Sequence, residues 1–464
     1  MKKKTYILGG LLALCTLGVG LFCFLSRDKS DACARALPGD VSLVGRVNAQ
    51  ELVLQNGLEL ADFAHLLSSS GASGVDYSQT AYFFAFQSYY GILVPLDDKE
   101  GFLQAISPHH QGVEQQRGLS WASLNGLFLL AADEEKALIV GPATGVEQEA
   151  LRNTLYTCMT QKTGGHASPI FKALEAREEP VAVATNLGFL PADFRSVLSA
   201  GMPKEVQPED LMLTAGLAMK GNELTLALRV QTEDEKATAY LDQLDEVLKP
   251  MDASSLSTAP LNPFLHIEAG LRGGKLIELL RQNPTTRTQL LGLNMLFDLD
   301  RILESIDGDV ALTMPKFSLL KQNYLLQAQL TDDRFMKDVT SWNDGLTYEA
   351  GVQFLPARND TYLCAFKDKA YYFGVRGQRL LVATDEWLWE SAVEPKEVTS
   401  DVKDCRLYAQ VDLSGLMDLQ AFLPQSARLP QFQRLTLSCK EARDWHLKLF
   451  APEGTDLLKT ILKP

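Results

Sequence analysis

The chain has 464 residues, 46% hydrophobic and 22% charged, an ordinary globular composition. Single cores stop growing near about 250–300 residues, so more than one domain is expected. The net charge of −14 is the wrong sign for a nucleic-acid face, which must neutralise phosphates, and for broad adhesion to anionic lipid. No nucleic-acid partner is expected.

The N-terminus carries the most informative segment. Lys2, Lys3 and Lys4 precede residues 5–25, 21 positions without a charge, and a mixed-charge flank with Arg27, Asp28, Lys29 and Asp31 follows. A cleavable signal has an apolar region of roughly 7–15 residues, whereas a spanning helix needs about 20. Residues 1–26 therefore read as cytoplasmic lysines and a transmembrane signal-anchor, with 27–37 a polar tether and the bulk of the chain outside the cytoplasm. Two alternatives stand beside this: cleavage at Ala34-Arg35-Ala36, and lipidation at Cys15 or Cys23, each preceded by a large residue where a lipoprotein has a small one.

Residues 38–250 read as a first α+β half. A strand over 41–47 leads to Asn48, a helix cap with Glu51 three residues on. Helical stretches over 49–54 and 58–67 and a serine- and glycine-rich loop at 68–74 follow. Strands are expected over 81–86 and 89–96, a helix after Asp97 and Asp98, and a strand over 119–124. Residues 126–141 then have the pattern of a tight hairpin, two apolar runs about a charged turn at 133–136. A helix over 146–161, a strand over 180–186, a helix through Phe194 and Leu198, two strands around 220–222 and a helix over 233–248 capped by Thr232 complete the half. Residues 251–263, with Ser254, Ser255, Ser257, Pro260 and Pro263, form the linker.

Residues 264–464 read as a second α+β half. A strand over 264–269 leads into a helix near 275–280, and strands over 310–314 and 324–330 follow. Acidic Asp332 and Asp333 open a helix through Phe335 and Val339, and a second hairpin covers 369–384. Strands over 405–412, 435–439 and 445–450 and a final helix after residues 454–456 close the chain. The hairpins at Gly126 and Lys369 lie 243 residues apart, and five blocks recur in the same order at offsets of about 222 to 243. The expected fold is thus α+β: a transmembrane helix, then two similar halves of antiparallel or mixed sheets packed with helices.

Residues 36–48, a proline–glycine–aspartate passage, an apolar strand and Asn48, follow a membrane-targeting segment. This arrangement resembles the start of a family of uncharacterised Bacteroidetes envelope proteins that carry a domain-of-unknown-function label. The resemblance implies a single-pass inner-membrane protein with most of its chain in the periplasm, or a lipoprotein. It assigns no catalytic residue.

Searching for chemistry returns little. The six histidines hold no His-Glu-x-x-His; His109 and His110 form the only cluster and read as a surface loop. No Gly-x-Ser-x-Gly elbow occurs, and Gly273-Gly274-Lys275 lacks the hydroxyl of a phosphate loop because Leu276 stands there. The Asp97–Asp98 and Asp332–Asp333 pairs read as helix-start acids rather than calcium ligands. Tyr82, Phe83, Phe84, Tyr89, Tyr90 and residues 371–373 read as core or cross-strand packing, and Trp387 and Trp389, if helical, cannot share a face. Seven cysteines without a Cys-x-x-Cys spacing are no disulfide framework; Cys405 and Cys439 either pair or are separate buried thiols. Catalytic residues are unknown from sequence, and no cofactor or metal is expected. The expected function is a membrane-anchored binding or scaffold protein of the cell envelope, tethered by its N-terminal helix and with an envelope protein as a possible partner. An envelope enzyme acting on a glycan or peptide polymer is the alternative.

Overall fold

The computed structural model describes the chain except residues 1–30, 57–73, 196–201, 253–262, 344–350, 392–401, 415–431 and a few shorter pieces. The expected signal-anchor over 1–26, the helix over 58–67 and most of the 68–74 loop lie outside the described residues. Among the described residues no helix is long and apolar enough to cross a membrane. The fold is α+β, built on antiparallel strand pairs, and the chain divides into two compact units.

The first unit comprises residues 1–191, 211–228 and 453–464. Its strands are β1 (Leu43–Val47), β2 (Ala81–Phe86), β3 (Tyr89–Pro95), β4 (Glu114–Gln116), β5 (Leu119–Leu124), β6 (Phe128–Ala132), β7 (Lys136–Gly141), β8 (Val181–Asn186), β9 (Met212–Lys220) and β10 (Glu223–Gln231), whose last residues pass into the second unit. They pair in the order β4-β5-β6-β7-β3-β2-β1-β8-β9-β10. Both faces are covered. Leu129, Leu138 and Val140 pack with helix Gly145–Thr160 and with Phe171, while Leu130, Ala132 and Ala137 pack with Leu52, Phe102 and Leu103. A strand buried on both sides needs no polar alternation, which is why β6 and β7 read as continuous apolar runs. Their charged turn is locked by Asp133, which accepts from the Lys136 amide at 2.9 Å and its ammonium at 2.8 Å. Cross-strand glycines make room for aromatic rings: a Cβ at Gly45 would lie 2.0 Å from the Phe83 ring, and one at Gly91 2.2 Å from that of Phe84.

The stretch read as a tether enters this core early. Asp31–Arg35 is a helix, and Cys33, Ala34, Ala36 and Leu37 are buried against the β-sheet. Small and apolar side chains outweigh the flanking charges there, so the polar connection ends before Cys33.

The second unit comprises residues 192–210 and 229–452. Its strands are β11 (Leu248–Lys249), β12 (Leu265–Arg272), β13 (Ile306–Met314), β14 (Leu325–Leu330), β15 (Val352–Pro356), β16 (Thr361–Phe366), β17 (Lys369–Arg376), β18 (Arg379–Ala383), β19 (Leu407–Asp412), β20 (Arg434–Glu441) and β21 (Asp444–Phe450). Apart from the two-residue β11, they pair as β15-β16-β17-β18-β14-β13-β12-β19-β20-β21. That is the pairing order of the first unit, strand for strand. The sequence reading lacked β4, β15, β16 and the two-residue β11, whose Leu248 it placed at the end of a helix. β4, Glu114-Gln115-Gln116, carries no apolar residue; its ladder to β5 and the Arg152 side chain hold it.

Division by compactness departs from division by sequence order. The helix after β10, Glu235–Val247, belongs to the second unit; the helix after β21, Leu457–Leu462, belongs to the first, where Leu458 joins Val47, Leu52, Val53 and Met219. Asp234, not Thr232, caps the former by accepting from the Ala237 amide at 2.8 Å, while Thr232 Oγ1 accepts from the Asp234 amide. Of the 251–263 linker, Met251 is buried against Val402 and Cys405.

Candidate functional site

Most residues singled out for chemistry have local structural roles. Asp98 caps helix Lys99–Ala105, accepting from the Gly101 amide at 3.0 Å, and the Asp97 carboxyl is raised by burial and by nearby Asp76. Asp332 forks onto Arg334 at 2.9 and 2.7 Å, and this guanidinium holds its carboxyl down at about 2. Lys275 pairs with Glu246 and Glu278 in a strand-to-helix turn. Trp389 packs under Arg376, whose guanidinium lies 5.2 Å from its ring, while Trp387 is exposed on the other side of helix Glu386–Ser391. Tyr82, Phe84 and Phe373 are core residues. Cys405 and Cys439 are buried and form no disulfide, and burial pushes the Cys439 thiol up to about 12. Among the described residues no group of three or more side chains is placed to hold a metal ion.

His109 and His110 are the exception, because the fold adds neighbours to them. After helix Lys99–Ala105, the turn Ser107–His109 brings the pair alongside β5 and the β5–β6 turn: the Asn125 amide donates to the His109 carbonyl at 2.8 Å, and His110 bridges to Leu124. Asn125 and Gly126 both have positive φ, 50° and 72°, a conformation that suits these two residue types. Helix Gly145–Thr160 closes one side. Its Gln148 stitches it to the turn, accepting from Ser123 Oγ at 3.1 Å and donating to the Ala143 and Gly126 carbonyls. One turn on, Arg152 lies 5.4 Å from the Trp121 ring and donates to Glu114 Oε2 at 2.9 Å and Gln116 Oε1 at 3.3 Å. Trp121 is itself fixed, donating from Nε1 to the Gln116 carbonyl at 3.2 Å.

These groups line an open pocket of about 540 Å³ within the first unit. Its wall mixes apolar Val113, Trp121 and Ala122 with His109, His110, Ser123, Asn125, Glu114 and Arg152. The volume falls in the range of small-molecule sites, and the lining is an open cleft with more polar than apolar surface. Sequence reasoning reached the histidines but not Trp121, Asn125 or Arg152, which gather only through the β5 ladder and the helix crossing it.

A second polar cluster is sealed. His266 on β12 contacts Thr313 Oγ1 through Nδ1 at 2.8 Å and Glu268 Oε2 through Nε2 at 3.2 Å, and all three are fully buried. Strand alternation puts His266 and Glu268 on one face, but only the β12–β13 register, His266 opposite Thr313, brings in the hydroxyl. The same place in the first unit is apolar. There β1 and β2 put Val44 opposite Phe84, both core residues.

Comparison with known proteins adds a family. No curated protein matches the chain. Three solved structures of TP0453, crystal forms IV, I and III, are similar at 11%, 10% and 11% identity; they cover 43%, 47% and 49% of this chain and 81%, 87% and 91% of theirs, with TM-scores of 0.27, 0.28 and 0.27. Residues 59–441 match the family described as a domain of unknown function, DUF4836, and the chain belongs to that family.

Proposed function

We propose that this is a membrane-anchored, extracytoplasmic binding protein of the cell envelope, a duplicated pair of α+β halves in which the pocket beside Trp121 and Arg152 holds the ligand. The uncharged stretch over 5–25 behind three lysines supports the anchor and the topology. The repeated order of ten paired strands supports the duplication. The observation that carries the binding role is the pocket itself: about 540 Å³, with an arginine, two histidines, a serine and an asparagine converging on it.

The reading is tested in cells with a photo-crosslinking residue at Asn125, on the pocket rim, and at Thr285 in the second unit as the control. The expected result is an envelope component captured from position 125, not from 285, and lost when residues 1–26 are deleted. Equal capture from both positions, or none from 125, overturns it.

An enzymatic reading has one constellation in its favour. Thr313, His266 and Glu268 form a hydroxyl–imidazole–carboxylate series of the kind that activates a nucleophile. All three are fully buried, so substrate reaches Thr313 only if this face of the sheet opens. Hydrolysis of an envelope polymer that Thr313→Ala abolishes, in a variant that melts as the parent does, supports this reading over the first.

A further inference from the structure

We propose that the pocket of the first unit takes a hydroxyl-rich carboxylate, an acidic sugar of the uronic acid type; this rests on the reading of the pocket as the binding place. Arg152 carries the first part of the argument. Its hydrogen bonds to protein all leave from Nη1, so Nε and Nη2 have no protein partner among the described residues. A guanidinium offers its donors as a planar fork matched to a carboxylate, and here stacking on Trp121 and the bond to Gln116 hold that fork in orientation. The Glu114 side chain is 68% exposed, so its ion pair with Arg152 is weak and yields readily to a competing carboxylate.

Asn125 carries the second part. The exposed Asn125 carboxamide, with no protein partner among the described residues, offers a donor and an acceptor at the mouth.

The remaining features separate a sugar from a peptide. β4 is the edge beside the pocket, but at three residues it is too short to template an added strand, and its Gln116 carbonyl is engaged by Trp121. A single arginine fork, already faced by one glutamate, matches one carboxylate better than a phosphate dianion.

Calorimetric titration of the full chain in mild detergent with D-glucuronate, D-glucose, acetate and triglycine tests this. Glucuronate is expected to bind, with glucose and acetate each about tenfold weaker or more, the worth of one charge-assisted hydrogen-bonded group. Arg152→Gln is expected to bring glucuronate down to the level of glucose. Asn125→Gly, which keeps the left-handed turn, is expected to weaken both sugars without lowering the melting temperature. Equal binding of glucose and glucuronate overturns the proposal, as does binding of triglycine alone or of no probe. If no probe binds while capture from position 125 persists in cells, the sugar assignment falls and the binding reading stands; if that capture is also absent, both fall.

Discussion

The buried imidazole at residue 266 shows how one side chain alters a fold plan. The first unit places Val44 against Phe84 where the second places His266 against Thr313, with Glu268 two residues along. Polar groups buried this deeply are tolerated because each is bonded. His266→Leu removes the imidazole that bonds Thr313 and Glu268, and a loss of about 1–3 kcal/mol is expected by urea unfolding. The double variant His266→Leu/Glu268→Leu is expected to recover most of that loss, since an apolar pair of similar volume is near neutral. A double variant no more stable than the single one contradicts this account.

The cysteines belong to the same scale. Burial raises the Cys33 thiol to about 12 and the Cys158 thiol to about 11. A raised acid pKa means less thiolate, so at pH 8 both are protonated as well as covered. Iodoacetamide at pH 8 is expected to leave Cys33, Cys158 and Cys439 unmodified in the native protein and to reach half-buried Cys364 first. Peptide mapping by mass spectrometry, with a denatured control, reads the order directly.

At the scale of elements, the short helix Leu457–Leu462 has consequences far from it in sequence. Leu457 and Leu458 are fully buried, and Leu458 packs with residues of β1, β9 and helix Ala49–Gln55. Leu458→Ala is expected to cost about 2–5 kcal/mol. Hydrogen exchange should report the loss as faster exchange in β9 and helix Ala49–Gln55, and not in β20 and β21, which precede the helix in sequence. The hairpins illustrate the opposite, local case. β6–β7 turns through Asp133 and Lys136, and β17–β18 turns through Gly377 and Gln378, both at positive φ, so each turn is readable from its own residues.

For the whole molecule, the proposed topology makes one direct prediction. The full chain is expected in the membrane pellet after alkaline carbonate extraction, and a chain whose residues 1–26 are replaced by a cleavable export signal in the soluble fraction of the same compartment. A full chain released by carbonate counts against a spanning anchor. Net charge bears on this only through solubility: at −14 the chain draws no general help from anionic lipid.

What the sequence by itself determined is local or periodic. Strands β5 to β7, the Asn48 cap and the recurrence of blocks were legible because apolar runs, cap chemistry and turn residues act within a few positions. Alternation in β12 marks two faces but not which is covered; the fold buries His266 and Glu268 and leaves Leu265 and Ile267 half-buried, against the usual sense. Which unit each terminal helix joins, the partner of His266 across the ladder, and the meeting of His110 with Trp121 and Arg152 were decided by tertiary structure alone. Each depends on strand register and on helices crossing sheets between residues tens to hundreds of positions apart, and single-chain patterning carries no term for such distances.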